Sequence, residues 1–183
     1  MARDHELLVL LDADGVPIGT REKYAVHGVD TPLHLAFSCY LLDGSGRLLV
    51  TRRALSKQAW PGVWTNSFCG HPAPDEVMED AVRRRARYEL GADIAEIRVR
   101  LPDFRYRAVD ANGIVENEVC PVFTATLAGD VHPEPSEVVE WEWVDPERLL
   151  RAVELTPFAF SPWLQQQLPS LVAGAAFAPA AVV

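Results

Sequence analysis

The chain has 183 residues, 49% hydrophobic and 23% charged, which are values of an ordinary globular protein rather than a disordered or fibrous one. That length suits one well-filled domain, residues 1–183, and is short for two. A formal net charge of −9 argues against nucleic acid or an anionic membrane as partner, because both require a basic surface. Basic residues cluster at Arg52, Arg53 and Lys57 and again in RRRAR from Arg83 to Arg87, so a small anion can still bind locally.

The N-terminal MARDHELLVLLDADG has too short an apolar run for a signal-peptide core and carries acids on both sides, which points to the cytoplasm. ELLVLL reads as a buried strand ended by the turn DADG. HLAFSCYLLDGSGRLLVTRRA predicts a hairpin of two apolar strands about a Gly-Ser-Gly turn. LSKQAWPGVWTNSFCGHPAP mixes proline, glycine and bulky aromatics, the composition of a long ordered loop, and such loops carry function.

A helix is expected from Asp75 to Leu90. Asp75 is its candidate cap, Glu76 and Glu79 suit the positive end, and Gly91 is the stop. Glu79 with Arg83 and Asp80 with Arg84 have the spacing of ion pairs along it. RVRLPDFRYRAVDANGIVENEVCPVFTATL predicts a second hairpin turning at Asn112-Gly113, and EVVEWEWVD a strand. Helical segments follow at PERLLRAV and from about Phe158, each near a proline. The last 16 residues, LPSLVAGAAFAPAAVV, fall short of the ~20 needed to span a bilayer and read as a flexible Ala-rich tail from about 168. Strands interrupted by helices imply an α/β protein with a mixed β-sheet sandwiched between α-helices.

Cys39, Cys69 and Cys120 have no CxxC spacing and are expected as reduced thiols. In VENEVC, Glu116 and Glu118 are two apart on a strand, so both face one side roughly 7 Å apart. Either that side is the solvated outer face of a sheet, or the carboxylates bind a cation or do acid-base work. His27 and His34 flank a proline-containing loop, and His71 follows Cys69. With the two glutamates they would form a five-ligand site suited to manganese, zinc or iron; alternatively His27 or His34 is a surface or capping residue.

GHPAPDEVMEDAVRRRARYELGA, from Gly70 to Ala92, resembles the Nudix box, with Gly70, Glu76, Arg84, Glu89 and Gly91 matching its frame. Two helix glutamates that Nudix hydrolases use for metal are replaced by Arg85 and Tyr88. Together with TRRALSK, WPGVWTNSFCGHP, RYEL, DFRYRA and ENEVCPVF in order, the chain closely resembles type 1 isopentenyl-diphosphate Delta-isomerases from residue 5 to about 165. The resemblance implies a Nudix-like fold and interconversion of isopentenyl and dimethylallyl diphosphate in isoprenoid biosynthesis. It assigns acid-base roles to Cys69 and Glu118, places Tyr106 as the hydroxyl partner of that glutamate, and sets Trp163 facing a carbocation. Apart from the resemblance, Tyr106 is an ordinary strand tyrosine and Trp163 a core residue.

The same resemblance makes His27, His34, His71, Glu116 and Glu118 ligands of a tightly held Mn2+ or Zn2+. Glu89 and the Cys69 backbone carbonyl become ligands of a Mg2+ that arrives with the diphosphate; otherwise Glu89 is a salt-bridged helix residue. Lys23, Arg53 and Lys57 correspond to residues that grip the diphosphate. The expected assembly is a monomer or weak homodimer. The rival reading is a Nudix diphosphate hydrolase, against which the missing box glutamates count.

Overall fold

The computed structural model describes residues 6–177. Within them the chain forms two mixed β-sheets rather than the one expected. The smaller holds β1 (Leu7–Leu11), β2 (Pro17–Glu22), β3 (His34–Leu35), β9 (Arg105–Val109) and β10 (Val115–Val119), in the order β2-β1-β3-β10-β9. A single helical turn, α1 (Lys23–Val26), follows β2. The larger contains β4 (Phe37–Leu42), β5 (Leu48–Arg53), β8 (Asp93–Leu101), β11 (Val122–Ala128) and β12 (Val138–Val144), ordered β12-β5-β4-β11-β8. The short strands β6 (Trp64–Thr65) and β7 (Phe68–Gly70) add to β5 and β4, so the expected loop is partly sheet.

The chain crosses between the sheets at two places. The chain steps from one sheet to the other at Ala36, between β3 and β4, and at Cys120-Pro121, between β10 and β11. Pro121 cannot donate to a ladder, so the strand is interrupted at the second crossing. The two crossings lie side by side, because β3 runs parallel to β10 and β4 parallel to β11. The stretch expected as one hairpin is therefore two nested pairs: β9 with β10 in the small sheet and β8 with β11 in the large one. The β4–β5 hairpin pairs only at Leu42 and Leu48 before its strands diverge, leaving room for β6 and β7.

Alternation along β4 assigns its two faces. Cys39 and Leu41 pack beneath α2 (Met78–Leu90) with Ala81, Val82, Ala86 and Leu90. Tyr40 faces α3 (Pro146–Leu155) and α4 (Pro162–Ala173), among Leu149, Val153, Leu164 and Leu168. The large sheet is thus covered by helices on both sides, as the pattern of elements implied.

Several local expectations change. Helix α2 starts at Met78, and Asp75 does not cap it but occupies a left-handed turn at φ 62. Arg84 pairs with Glu76 at 2.7 Å and Arg83 donates to the Ile94 carbonyl, in place of the expected partners Asp80 and Glu79. Partners held by the fold need no ordering of a second flexible side chain on the helix surface, so they prevail over an exposed i,i+4 pair. Phe158 lies in a 3-10 turn, and α4 begins at Pro162 behind the Ser161 cap. The flexible tail expected from about 168 is instead packed through 177: Leu168, Leu171, Ala176 and Phe177 are buried against Tyr40 and its neighbours. Residues 178–183 of that tail lie outside the described residues. Among the described residues no helix is long and apolar enough to cross a membrane.

Candidate active site

The site forms where the chain passes between the sheets. His34 on β3 stands opposite Glu118 on parallel β10, while Glu118 also stands opposite Tyr106 on antiparallel β9. His27 follows α1, and His71 follows β7. One ligand atom from each of His27, His34, His71 and Glu118 lies within 4.8 Å of all the others. Glu116 joins through His27, whose Nε2 is 3.2 Å from its Oε2. His34 Nε2 and His71 Nε2 stand 3.5 Å and 3.4 Å from Glu118 Oε1.

Glu116 and Glu118 are 7% and 6% exposed, so their strand face is interior and not a solvated outer surface. The ring Nδ1 atoms of His27 and His34 contact the carbonyls of Lys23 and Pro32 at 3.1 and 3.0 Å. A carbonyl only accepts, so each Nδ1 carries a proton, and in the neutral ring each Nε2 is left with its lone pair toward the cluster. His34 Nε2, both His71 ring nitrogens and Glu116 Oε2 are buried without a hydrogen-bond partner. Convergent orphaned nitrogen and oxygen acceptors are costly unless a cation satisfies them, so the donor set suits a divalent metal.

The electrostatics reflect that crowding. Burial pulls His71 down to about 3. Burial also works to lower His27 and His34, but the adjacent carboxylates outweigh it and both lie above the ordinary histidine value. For Glu118, burial works to raise the carboxyl, yet His34 and His71 hold it well below the usual range.

Beside the cluster opens a cavity of about 630 Å³ whose lining includes Cys69, Tyr106, Glu118 and Trp163. Cys69 lies on β7 opposite Ser38, and burial pushes its thiol up to about 12 against the opposing pull of hydrogen bonds with Ser38 and Asn66. Trp163, 3% exposed, packs its ring 5.8 Å from Tyr106 and 5.5 Å from Trp60. It is at once a core residue and a wall of the cavity. Cys39 and Cys120 are fully buried free thiols that do not line it and behave as small apolar groups.

Lys23, Arg53 and Lys57 also line this cavity. Lys23 Nζ pairs with Glu6 at 2.6 Å and Lys57 with Glu137. Arg53 donates to the carbonyls of Ala59 and Trp60 and places its guanidinium carbon 5.4 Å from the Trp163 ring centroid. Glu89, 7% exposed, engages Arg85 through its Oε1. The Arg85 guanidinium is buried in the cavity wall among Glu89, Glu137 and Glu6. The i,i+4 spacing of Arg85 and Glu89 was the available signal; Glu6 and Glu137 come from distant elements and had none.

A mixed sheet between helices with the box-bearing α2 beside the cavity defines a Nudix fold. A protein-family model described as the NUDIX domain matches residues 32–164. Solved structures share the fold: DR0079 from Deinococcus radiodurans superposes with a TM-score of 0.69 at 21% identity, covering 90% of this chain and 98% of that one. The MutT protein from Methanosarcina mazei Go1 gives 0.62 at 17% identity over 81% of this chain and 99% of that one. Much nearer in sequence is the isopentenyl-diphosphate Delta-isomerase of Leifsonia xyli, 60% identical over 98% of both chains. That of Clavibacter michiganensis is 63% identical over 93% of this chain and 88% of its own length. The chain belongs to the isopentenyl-diphosphate Delta-isomerase family of Nudix proteins.

Proposed function

We propose that the chain interconverts isopentenyl diphosphate and dimethylallyl diphosphate, with Cys69 and Glu118 as its two acid-base groups. The observation that carries this reading is that both line one cavity, which has an aromatic wall and a cationic rim. An alkene is a poor base, so isomerisation needs a close proton donor and an environment that protects a tertiary carbocation from water. One of the pair delivers a proton to the terminal methylene while the other removes one from the carbon on the far side of the cation. In the reverse direction they exchange parts.

Trp163 presents its π face to the developing cation, an attraction of ~2 kcal/mol or more when desolvated. Tyr106, directly across from Glu118 on the neighbouring strand, steadies that carboxylate from the same face. Lys23, Arg53 and Lys57 grip the diphosphate, which explains how an acidic chain takes an anionic substrate. A Mn2+ or Zn2+ held by His27, His34, His71, Glu116 and Glu118 would fix the Glu118 carboxylate and tune its proton affinity. Mg2+ entering with the diphosphate would be held by Glu89 and the Cys69 backbone carbonyl. Three free thiols support work in the reducing cytoplasm.

Turnover of isopentenyl diphosphate in heavy water with Mg2+ tests the reading. Dimethylallyl diphosphate containing deuterium, lost in Cys69→Ala, is the expected result. Release of phosphate or diphosphate, indifferent to Cys69, overturns it and returns the chain to diphosphate hydrolysis.

A further inference from the structure

Asn66 lies between β6 and β7 and is fully buried, with no access to the cavity. Its side chain nevertheless touches both of the groups at the cavity's reactive end. The Cys69 thiol donates to Asn66 Oδ1 at 3.3 Å, and the Trp163 indole Nε1–H donates to the same oxygen at 2.9 Å. The amide is itself clamped, because Nδ2 donates to the carbonyls of Cys39 and Phe68 at 2.9 and 2.8 Å. Those four partners settle which end is oxygen: an indole N–H can only donate and a backbone carbonyl can only accept.

A third donor reaches that oxygen from the helix that carries Trp163. Thr65 Oγ1 donates to Asn66 Oδ1 at 2.9 Å and lies 2.8 Å from Ser161 Oγ. Ser161 is the N-cap of α4, its hydroxyl oxygen accepting from the Leu164 N–H. Since the Thr65 hydroxyl proton is used on Asn66, the Ser161 hydroxyl must donate to Thr65. The start of α4, the Trp163 side chain and the Cys69 thiol are therefore all referred to one carbonyl oxygen.

We propose that Asn66 is a positioning residue, setting the thiol of Cys69 and the ring of Trp163 in fixed relation to each other at one end of the cavity. The inference rests on Cys69 and Trp163 acting as described under the proposed function. The chemical case has two parts. Displacing a reacting group by ~1 Å from its productive geometry can cost ~100-fold in rate, so a shared anchor for proton donor and cation wall has a large effect on kcat. A carbonyl has two lone pairs and here meets three donors, of which S–H is the weakest. The thiol is thus oriented by Asn66 but not tied to it, and its proton stays free to turn toward the cavity.

Two measurements on the metal-loaded protein test this. The first reads the thiol itself: its S–H infrared band, identified by loss in Cys69→Ala, is expected at a hydrogen-bonded frequency in wild type and nearer the free-thiol frequency in Asn66→Ala, which leaves the Ser38 contact in place. The second compares Asn66→Ala with wild type. A kcat lower by ~100-fold is expected, with KM for isopentenyl diphosphate within ~3-fold, bound metal unchanged, and the Trp163 indole N–H proton resonance shifted. An S–H band at the free-thiol frequency in wild type, or one that does not move in Asn66→Ala, overturns the proposal. So does a folded Asn66→Ala whose kcat stays within ~3-fold of wild type, or one in which kcat, KM and metal content fail together, as a merely structural role requires. Isomerase activity that depends on Cys69 but not on Asn66 sinks this inference alone, whereas activity indifferent to Cys69 sinks the functional reading with it.

Discussion

Arg85 stands at a position where the hydrolase form of the box carries glutamate, and the structure surrounds it with carboxylates of Glu6, Glu89 and Glu137. Removing one partner from a buried charge cluster leaves the others uncompensated. Arg85→Met is therefore expected to cost about 3–5 kcal/mol in a urea titration, far more than a surface arginine would. The same cluster predicts an acid response. Burial works to raise Glu6, but Lys23 and Arg85 outweigh it and bring the carboxyl from 4.5 to about 2. Its folded-state value is depressed, so its contribution is complete above about 4.5 and is lost as pH falls toward about 2. Glu6→Gln should lower the urea midpoint at neutral pH, and the gap to wild type should close across that window. A gap that stays constant with pH would remove Glu6 from the account of acid stability.

Helix α2 was readable because acids at its start, arginines in its later turns and its glycine stop are local signals. Gly91 has φ 56, the left-handed conformation, and returns its N–H to the Arg87 carbonyl. The true start was not readable, because Asp75 and Glu76 take roles in the preceding turn, where Glu76 accepts from Ala73 N–H and pairs with Arg84. Contact between α2 and β7 sets another constraint. A Cβ on Gly70 would stand 2.6 Å from Arg85 Cγ and 3.0 Å from Phe37 Cζ. Gly70→Ala must displace the Arg85 side chain, and with it the packing of α2 on the strand that carries Cys69, at a cost of about 1–3 kcal/mol. Thermal melts and kcat/KM should fall together in this variant. Unchanged values in both would show that the strand and helix can separate freely.

The candidate metal-binding cluster gathers distant parts of the chain: His27 after α1, His34 on β3, His71 beside β7 and Glu118 on β10. These segments belong to both sheets, so an ion bound there would act as a clasp across the crossing. Anything that binds only the folded state stabilises it, by about 4 kcal/mol when present at a thousandfold excess over its dissociation constant. Exhaustive chelation should lower the melting temperature and recovery should follow added Mn2+ or Zn2+. Chelation that abolishes activity but leaves the melt unmoved would assign the metal to chemistry alone. The packed segment 168–177 belongs here too. Its alanines and prolines looked like a tail, but Leu168, Leu171 and Phe177 fill a space that exists only once β4, β5 and α3 have assembled.

By itself the sequence determined what depends on neighbours along the chain. Strand alternation, the turn at Asn112-Gly113, the stop of α2, and the motifs with His71, Cys69, Glu116 and Glu118 are all short-range patterns, and the family resemblance rests on them. Tertiary structure alone decided which strands cross between two sheets, because pairing over long separations leaves no local period. It decided that the E-x-E face is interior, since a strand face carries no label for the layer that covers it. It also joined Glu6 and Glu137 to Arg85, and Trp163 to Cys69 through Asn66, contacts that form only where distant segments meet in the folded chain.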